Sequence, residues 1–142
     1  MPPPRPATIK AVSGFHTLLY RATRGRLGRR LAGHDILLLT TTGRMSGRPH
    51  TVPLLYLREG ADYVVIASFA GHDRQPAWYL NLQAEPRALI QVRGKRSAVT
   101  ARDAGPGERD HLWARAVQEN PGYAGYQART DRLIPVVRLQ PG

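Results

Sequence analysis

The run Leu37-Leu38-Leu39-Thr40-Thr41-Thr42-Gly43-Arg44-Met45-Ser46-Gly47-Arg48-Pro49-His50-Thr51-Val52-Pro53-Leu54-Leu55-Tyr56 constrains the fold more than any other stretch. Two apolar, β-prone segments flank a loop too short to be a crossover, so the strands on either side pair antiparallel. The loop carries two glycines, two arginines and several hydroxyls. Glycines let backbone N–H groups turn toward one point, and arginines add charged donors around it, which suits an anion. An ordinary polar hairpin connection has the same composition. From these residues alone both readings stand.

The rest of the chain repeats the strand pattern. After 36–41, strands are expected over 51–58, 63–68, 88–92, 96–101 and 134–139, with Arg93-Gly94-Lys95 as a hairpin turn. Both parities of 51–58 are apolar, so both of its faces should be covered, while Pro53 implies an edge, a bulge or an opening there. Pro135 likewise implies that part of the last strand lies at an edge. A helical pattern covers 15–31. A short helix opens at Pro76, with Asp73 as its cap, and stops at Glu85-Pro86. Another opens at Pro106, buries Leu112, Trp113, Ala116 and Val117, and breaks at Asn120-Pro121-Gly122. Short links between successive strands predict an α+β chain, mostly antiparallel β, in which a small barrel carries helices on its outside. At 142 residues this is one domain, read as 13–142 behind an extended or disordered proline-rich tail over 1–12.

Charge is the main compositional fact. The formal net charge is +11, and Lys10 and Lys95 are the only lysines, so the excess is arginine. Such a balance favours nucleic acid, acidic lipid, or a small ligand bearing phosphate and carboxylates. It is also what a GC-rich genome produces. Residues 15–31 hold five arginines beside an apolar stripe, which fits either a peripheral contact with an anionic membrane or a helix capping the barrel. The aromatics do not interleave with the basic run as a base-stacking platform requires, so nucleic acid is not expected. No apolar run approaches the ~20 residues that span a bilayer, and the start lacks a signal-peptide core, which points to the cytoplasm or the inner face of its membrane.

Most catalytic signatures are missing. There is no cysteine. His34-Asp35 and His72-Asp73 are adjacent pairs without metal-ligand spacing, so no metal site is expected. The segment Gly43-Arg44-Met45-Ser46-Gly47 is neither a nucleophile elbow nor a P-loop. Where side chains do not supply strong chemistry, a cofactor does.

Four motifs in order then become recognisable. They are Thr41-Thr42-Gly43-Arg44-Met45-Ser46-Gly47-Arg48-Pro49-His50 with Pro53-Leu54; Val65-Ile66-Ala67-Ser68; Pro76-Ala77-Trp78-Tyr79-Leu80-Asn81-Leu82; and Pro121-Gly122-Tyr123 with Tyr126-Gln127, Thr130-Asp131-Arg132 and Ile134-Pro135-Val136. Together they resemble the deazaflavin-dependent nitroreductases over roughly residues 15–140. The resemblance implies a split β-barrel that binds reduced coenzyme F420. It implies hydride transfer to a quinone, nitroaromatic or other electron-poor conjugated acceptor.

Carried over by position, it implies that Arg44, Met45, Ser46 and Arg48 receive the coenzyme's phosphate and glutamate tail, with His50, Thr51 and Val52 beside them. Ile66, Ala67, Ser68 and Phe69 would run along the ring, and Tyr123 and Tyr126 would close over it. Leu55, Trp78, Asn120 and Tyr126 would line the acceptor pocket, and Ser68 and Tyr126 are the candidate catalytic groups. By burial alone Trp78 and Trp113 read as core anchors. Met45, His50 and Phe69 stand where basic or polar residues are common in the family, and Leu55 and Asn120 replace tyrosines. An FMN-binding split barrel, and a basic module binding nucleic acid or anionic membrane, are the alternatives. The protein is expected to be a monomer or a homodimer.

Overall fold

Strand β1 (Ile36–Thr42) opens the barrel with four successive buried residues, Ile36 to Leu39. A continuous apolar run of this kind belongs to a strand covered on both faces. The computed structural model describes residues 35–142. The tail expected over 1–12, and the helix and membrane contact expected over 15–31, lie outside the described residues.

The remaining strands are β2 (Pro49–Leu55), β3 (Leu57–Glu59), β4 (Asp62–Ile66), β5 (Arg87–Val92), β6 (Lys95–Asp103) and β7 (Val136–Pro141). They form one seven-stranded sheet in the order β2-β1-β5-β6-β7-β4-β3, and every pairing is antiparallel. β2 and β3 lie at opposite edges of that sheet, yet only Tyr56 separates them in the chain. The sheet therefore curls until its two edges meet, as barrel closure requires. The α+β split-barrel expectation holds.

Two details differ from the sequence-based expectation. The second strand, 51–58, is two strands: its first part pairs with β1 and its last with β4. The staggered registers bring this segment to both edges of the sheet. The last strand is not at an edge, since β7 lies between β6 and β4. Pro135 precedes it, and its carbonyl accepts the Ala67 N–H at 3.0 Å. Pro53 does lie on an edge strand, opposite Leu38.

Two apolar layers result. Leu37, Leu39, Val65, Ala67, Trp78, Leu82, Ile90 and Leu139 fill the barrel. Val64, Ile66, Leu112, Ala116, Tyr123 and Ile134 form the second layer. Alternation along β4 places Val65 and Ala67 in the first layer and Val64 and Ile66 in the second. The same parity divides the β2–β3 segment: Val52, Leu54 and Tyr56 pack on the barrel core, Leu55 and Leu57 on the outer layer. Its expected two-sided cover is explained by this split.

Three α-helices are present among the described residues: α1 (Ala77–Ala84), α2 (Pro106–Glu119) and α3 (Gly122–Ala128). Asp73 does not cap α1. Pro76 occupies the cap, and the Asp73 carboxylate accepts the Thr130 hydroxyl at 2.8 Å instead. The Glu108 carboxylate accepts the Gly105 N–H at 2.9 Å at the start of α2. Among the described residues no helix is long and apolar enough to cross a membrane. The β5–β6 turn has Arg93 at φ 52° and Gly94 at φ 81°, which matches the right-handed twist of the hairpin.

Candidate active site

The Gly43–Arg48 loop is held by its own hydrogen bonds. Gly43 N–H donates to the Arg48 carbonyl and Gly47 N–H to the Gly43 carbonyl, both at 2.8 Å. The Arg48 N–H donates to Ser46 Oγ at 3.1 Å, and Ser46 Oγ lies 3.3 Å from His50 Nε2. A side chain at Gly43 would come within 2.6 Å of Ser46 Oγ and 2.7 Å of His50 Nε2, so it would displace that pair. These bonds occupy several backbone N–H groups expected to face an anion. What the loop offers outward is its guanidinium groups. Arg44 and Arg48 are exposed, and neither side chain pairs with a carboxylate among the described residues. Met45 between them is 89% exposed.

The base of the loop is fixed from below by Asn81, a residue to which the sequence assigned no role. Its amide donates to Thr41 Oγ1 at 3.0 Å, and its carbonyl oxygen accepts the Arg44 N–H at 3.1 Å. An asparagine inside the apolar run of α1 was the available signal, because a buried amide must find partners. Thr51 turns away, with its hydroxyl 2.7 Å from that of Thr40, and Val52 packs on the barrel core. Of His50, Thr51 and Val52, His50 alone reaches the loop interior through its side chain.

At the other end of β2 is a cleft of about 380 Å³. Leu55, Val64, Ile66 and Ala116 form its apolar wall, and Asp35, Arg58, Arg115, Glu119, Asn120 and Tyr123 make the rest of its lining polar. Seven residues of β2 separate the loop from the cleft, roughly 20 Å of strand. Burial raises the Tyr123 hydroxyl to a pKa of about 12, with a further push from Tyr126, while a hydrogen bond from Asn120 works the other way. The Tyr123 and Tyr126 rings meet edge to face with centroids 6.3 Å apart. Asn120 Oδ1 also accepts the Gly122 N–H at 3.2 Å, which anchors the start of α3.

The structure thus brings Leu55, Ile66, Asn120 and Tyr123 to one cleft, with Tyr126 against Tyr123. It does not bring Ala67 or Trp78 there: Ala67 is fully buried and Trp78 is 8% exposed, both in the barrel core. Ala67 points inward because it has the opposite parity to Ile66. Trp78 is a core anchor by placement. Ser68 and Phe69 follow β4 in a tight turn, with Phe69 at φ 46° and its ring 5.0 Å from that of His72.

A model of the F420H(2)-dependent quinone reductase family matches residues 13–141. An F420H(2)-dependent quinone reductase of Mycobacterium tuberculosis is 44% identical over 129 residues, covering 88% of this chain and 87% of the relative. A solved F420-H2 dependent reductase, FDR-A, is 42% identical, with a TM-score of 0.68 over 74% of this chain and 93% of its own. A further structure, described as a domain-swapped dimer, is 37% identical, with a TM-score of 0.68 over 87% and 98% of the two chains.

Proposed function

The chain belongs to the F420H(2)-dependent quinone reductase family, and from that premise we propose which of its residues carry the reaction. The protein is an oxidoreductase that uses reduced coenzyme F420 and passes a hydride to a quinone-type acceptor. Family membership favours F420 over FMN and disfavours a module that binds nucleic acid or membrane alone.

One observation supports the assignment of the site. Two guanidinium groups with no carboxylate partner among the described residues stand at one end of β2, and a cleft with one apolar wall stands at the other. A long ligand with an anionic tail and a flat apolar head fits that layout. Arg44 and Arg48 bind the tail by charge-assisted hydrogen bonds, held in place by the Ser46–His50 and Asn81 contacts. Leu55 and Ile66 provide an apolar wall for the head. Bound reduced F420 supplies the hydride. Ser68, Tyr123 and Tyr126 present hydroxyls to the acceptor oxygen, and burial raises the Tyr123 hydroxyl above its ordinary range, which favours its role as a hydrogen-bond donor. Positioning, rather than a protein nucleophile, accounts for the rate.

Fluorescence titration with F420 at low salt tests this. Arg44→Ala is expected to weaken binding about tenfold or more, as loss of a hydrogen bond to a charged group does. An unchanged dissociation constant in both Arg44→Ala and Arg48→Ala sinks the assignment.

The proposal extends to organisation. The domain runs from 13 to 142, the protein works in the cytoplasm, and it forms a homodimer, as one similar structure does. Contact of residues 15–31 with an anionic bilayer is tested by cosedimentation with liposomes.

A further inference from the structure

We infer that Arg132 is a positioning residue for hydride transfer, locking the Ser68–Phe69 turn to the tyrosine-bearing helix α3. Its guanidinium donates from Nη1 to the Ala67 carbonyl at 3.2 Å and to Gln75 Oε1 at 2.8 Å. Nη2 donates to the Ser68 carbonyl at 2.8 Å, and Nε to the His72 carbonyl at 2.7 Å. None of these acceptors is a carboxylate. An arginine so placed is used for the shape of its rigid fork of donors, which holds several carbonyls in one geometry.

The turn it holds needs holding. Phe69 and Ala70 adopt φ of 46° and 53°, a left-handed region unfavourable for residues with a Cβ. The strain persists only where surrounding contacts over-determine the backbone. Arg132 provides them on one side, and Gly71, at φ 78°, lets the turn approach the Tyr126 carbonyl: a Cβ there would lie 2.9 Å from that oxygen.

The same segment is tied to α3. Gln127 Nε2 donates to the Arg132 carbonyl at 2.7 Å, and Gln127 Oε1 accepts the Ile134 N–H at 3.0 Å. The Thr130 hydroxyl donates to Asp73 Oδ1 at 2.8 Å. Ser68 and Phe69 on one side and Tyr123 and Tyr126 on the other therefore move as a unit, with Arg132 at its centre. Arg44 and Arg48 are not part of it.

This inference rests on the assignment of Ser68, Phe69 and Tyr126 to the site, and its consequence is a separation of binding from turnover. Arg132→Lys keeps a cation and can satisfy one or two carbonyls, so it folds, as far-ultraviolet dichroism and the thermal midpoint verify. With reduced F420 and a water-soluble quinone, its kcat is expected to fall at least tenfold. The F420 dissociation constant, set by the distant tail clamp, should change less than threefold. In Arg132→Ala, guanidinium chloride at low millimolar concentration should restore part of kcat, and an equal concentration of sodium chloride should not.

A folded Arg132→Lys with wild-type kcat overturns the inference. So does loss of activity in both variants that merely follows loss of folded protein, without rescue. Ser68→Ala, Phe69→Ala and Tyr126→Phe are measured alongside. If all three leave both binding and turnover unchanged, the site assignment itself fails, whatever Arg132 does.

Discussion

Asn81 shows how one side chain connects the core to the candidate site. It sits at 4% exposure between Leu80 and Leu82, and both ends of its amide are used, one on Thr41 and one on the Arg44 backbone. Replacing it with leucine leaves the Arg44 N–H and the Thr41 hydroxyl without their partner, at a cost of about 1–3 kcal/mol. Asn81→Leu should therefore lower the thermal midpoint by roughly 4–10 °C. Coenzyme affinity should fall severalfold as Arg44 loses its fixed origin. Differential scanning fluorimetry and coenzyme titration of the same preparation check both. The sequence showed the asparagine but not its partners, because Thr41 and Arg44 lie far from it along the chain. Residue identity was legible; pairing was not.

At the scale of the element, the loop between β1 and β2 carries a prediction that separates two kinds of glycine. Gly47 takes φ 69° with open space around its α-carbon, so Gly47→Ala brings only the left-handed strain, about 1 kcal/mol. Gly43 has no such φ, but an added methyl group collides with Ser46 and His50. Gly43→Ala should displace the Ser46–His50 contact and weaken coenzyme binding more than Gly47→Ala does, although their thermal midpoints stay close. Parallel titrations of the two variants decide this, and equal affinities would remove the Ser46–His50 contact from the clamp. The turn chemistry of this loop was readable from Gly43, Gly47 and Pro49. Its internal bonding was not, and that bonding occupies the N–H groups of Gly43, Arg44, Gly47 and Arg48, which leaves the arginine side chains as the donors facing outward. The division of 51–58 into β2 and β3 was also hidden, since an unbroken apolar run carries no mark of where the strand changes partner.

Over the whole molecule, α2 is fastened to the sheet by charge as well as by Leu112 and Ala116. Glu108 bonds Arg102 and Arg138, and Arg138 also bonds Asp62 near the far edge. Glu59 on β3 pairs with Arg115 of α2. Arg102 beside Glu108, together with the Gly105 N–H, holds the Glu108 carboxyl at a pKa of about 2, below its ordinary 4.5. A group depressed on folding adds stability that is complete above its unfolded pKa and lost as pH falls through its folded one. The difference in thermal midpoint between wild type and Glu108→Gln should therefore be constant from pH 7 to 5. It should shrink between about pH 4.5 and 2. A difference that persists at pH 2 would mean that Glu108 acts through packing rather than charge.

By itself the sequence determined the fold class, the family and the cofactor. Alternating apolar strands with short links permit few arrangements other than an antiparallel barrel, and the ordered motifs carry the kinship. It also determined that the β1–β2 loop is basic. Tertiary structure alone decided where the barrel closes, that β7 is interior, and that Ala67 and Trp78 face the core while Ile66 faces the cleft. It decided too that Arg132 bonds the carbonyls of Ala67, Ser68 and His72, and that Asn81 bonds Thr41 and the Arg44 backbone. The reason is physical: propensity and periodicity are local properties of the chain. Register, parity and hydrogen-bond partners depend on residues brought together from a distance, and they become defined only when the sheet closes on itself.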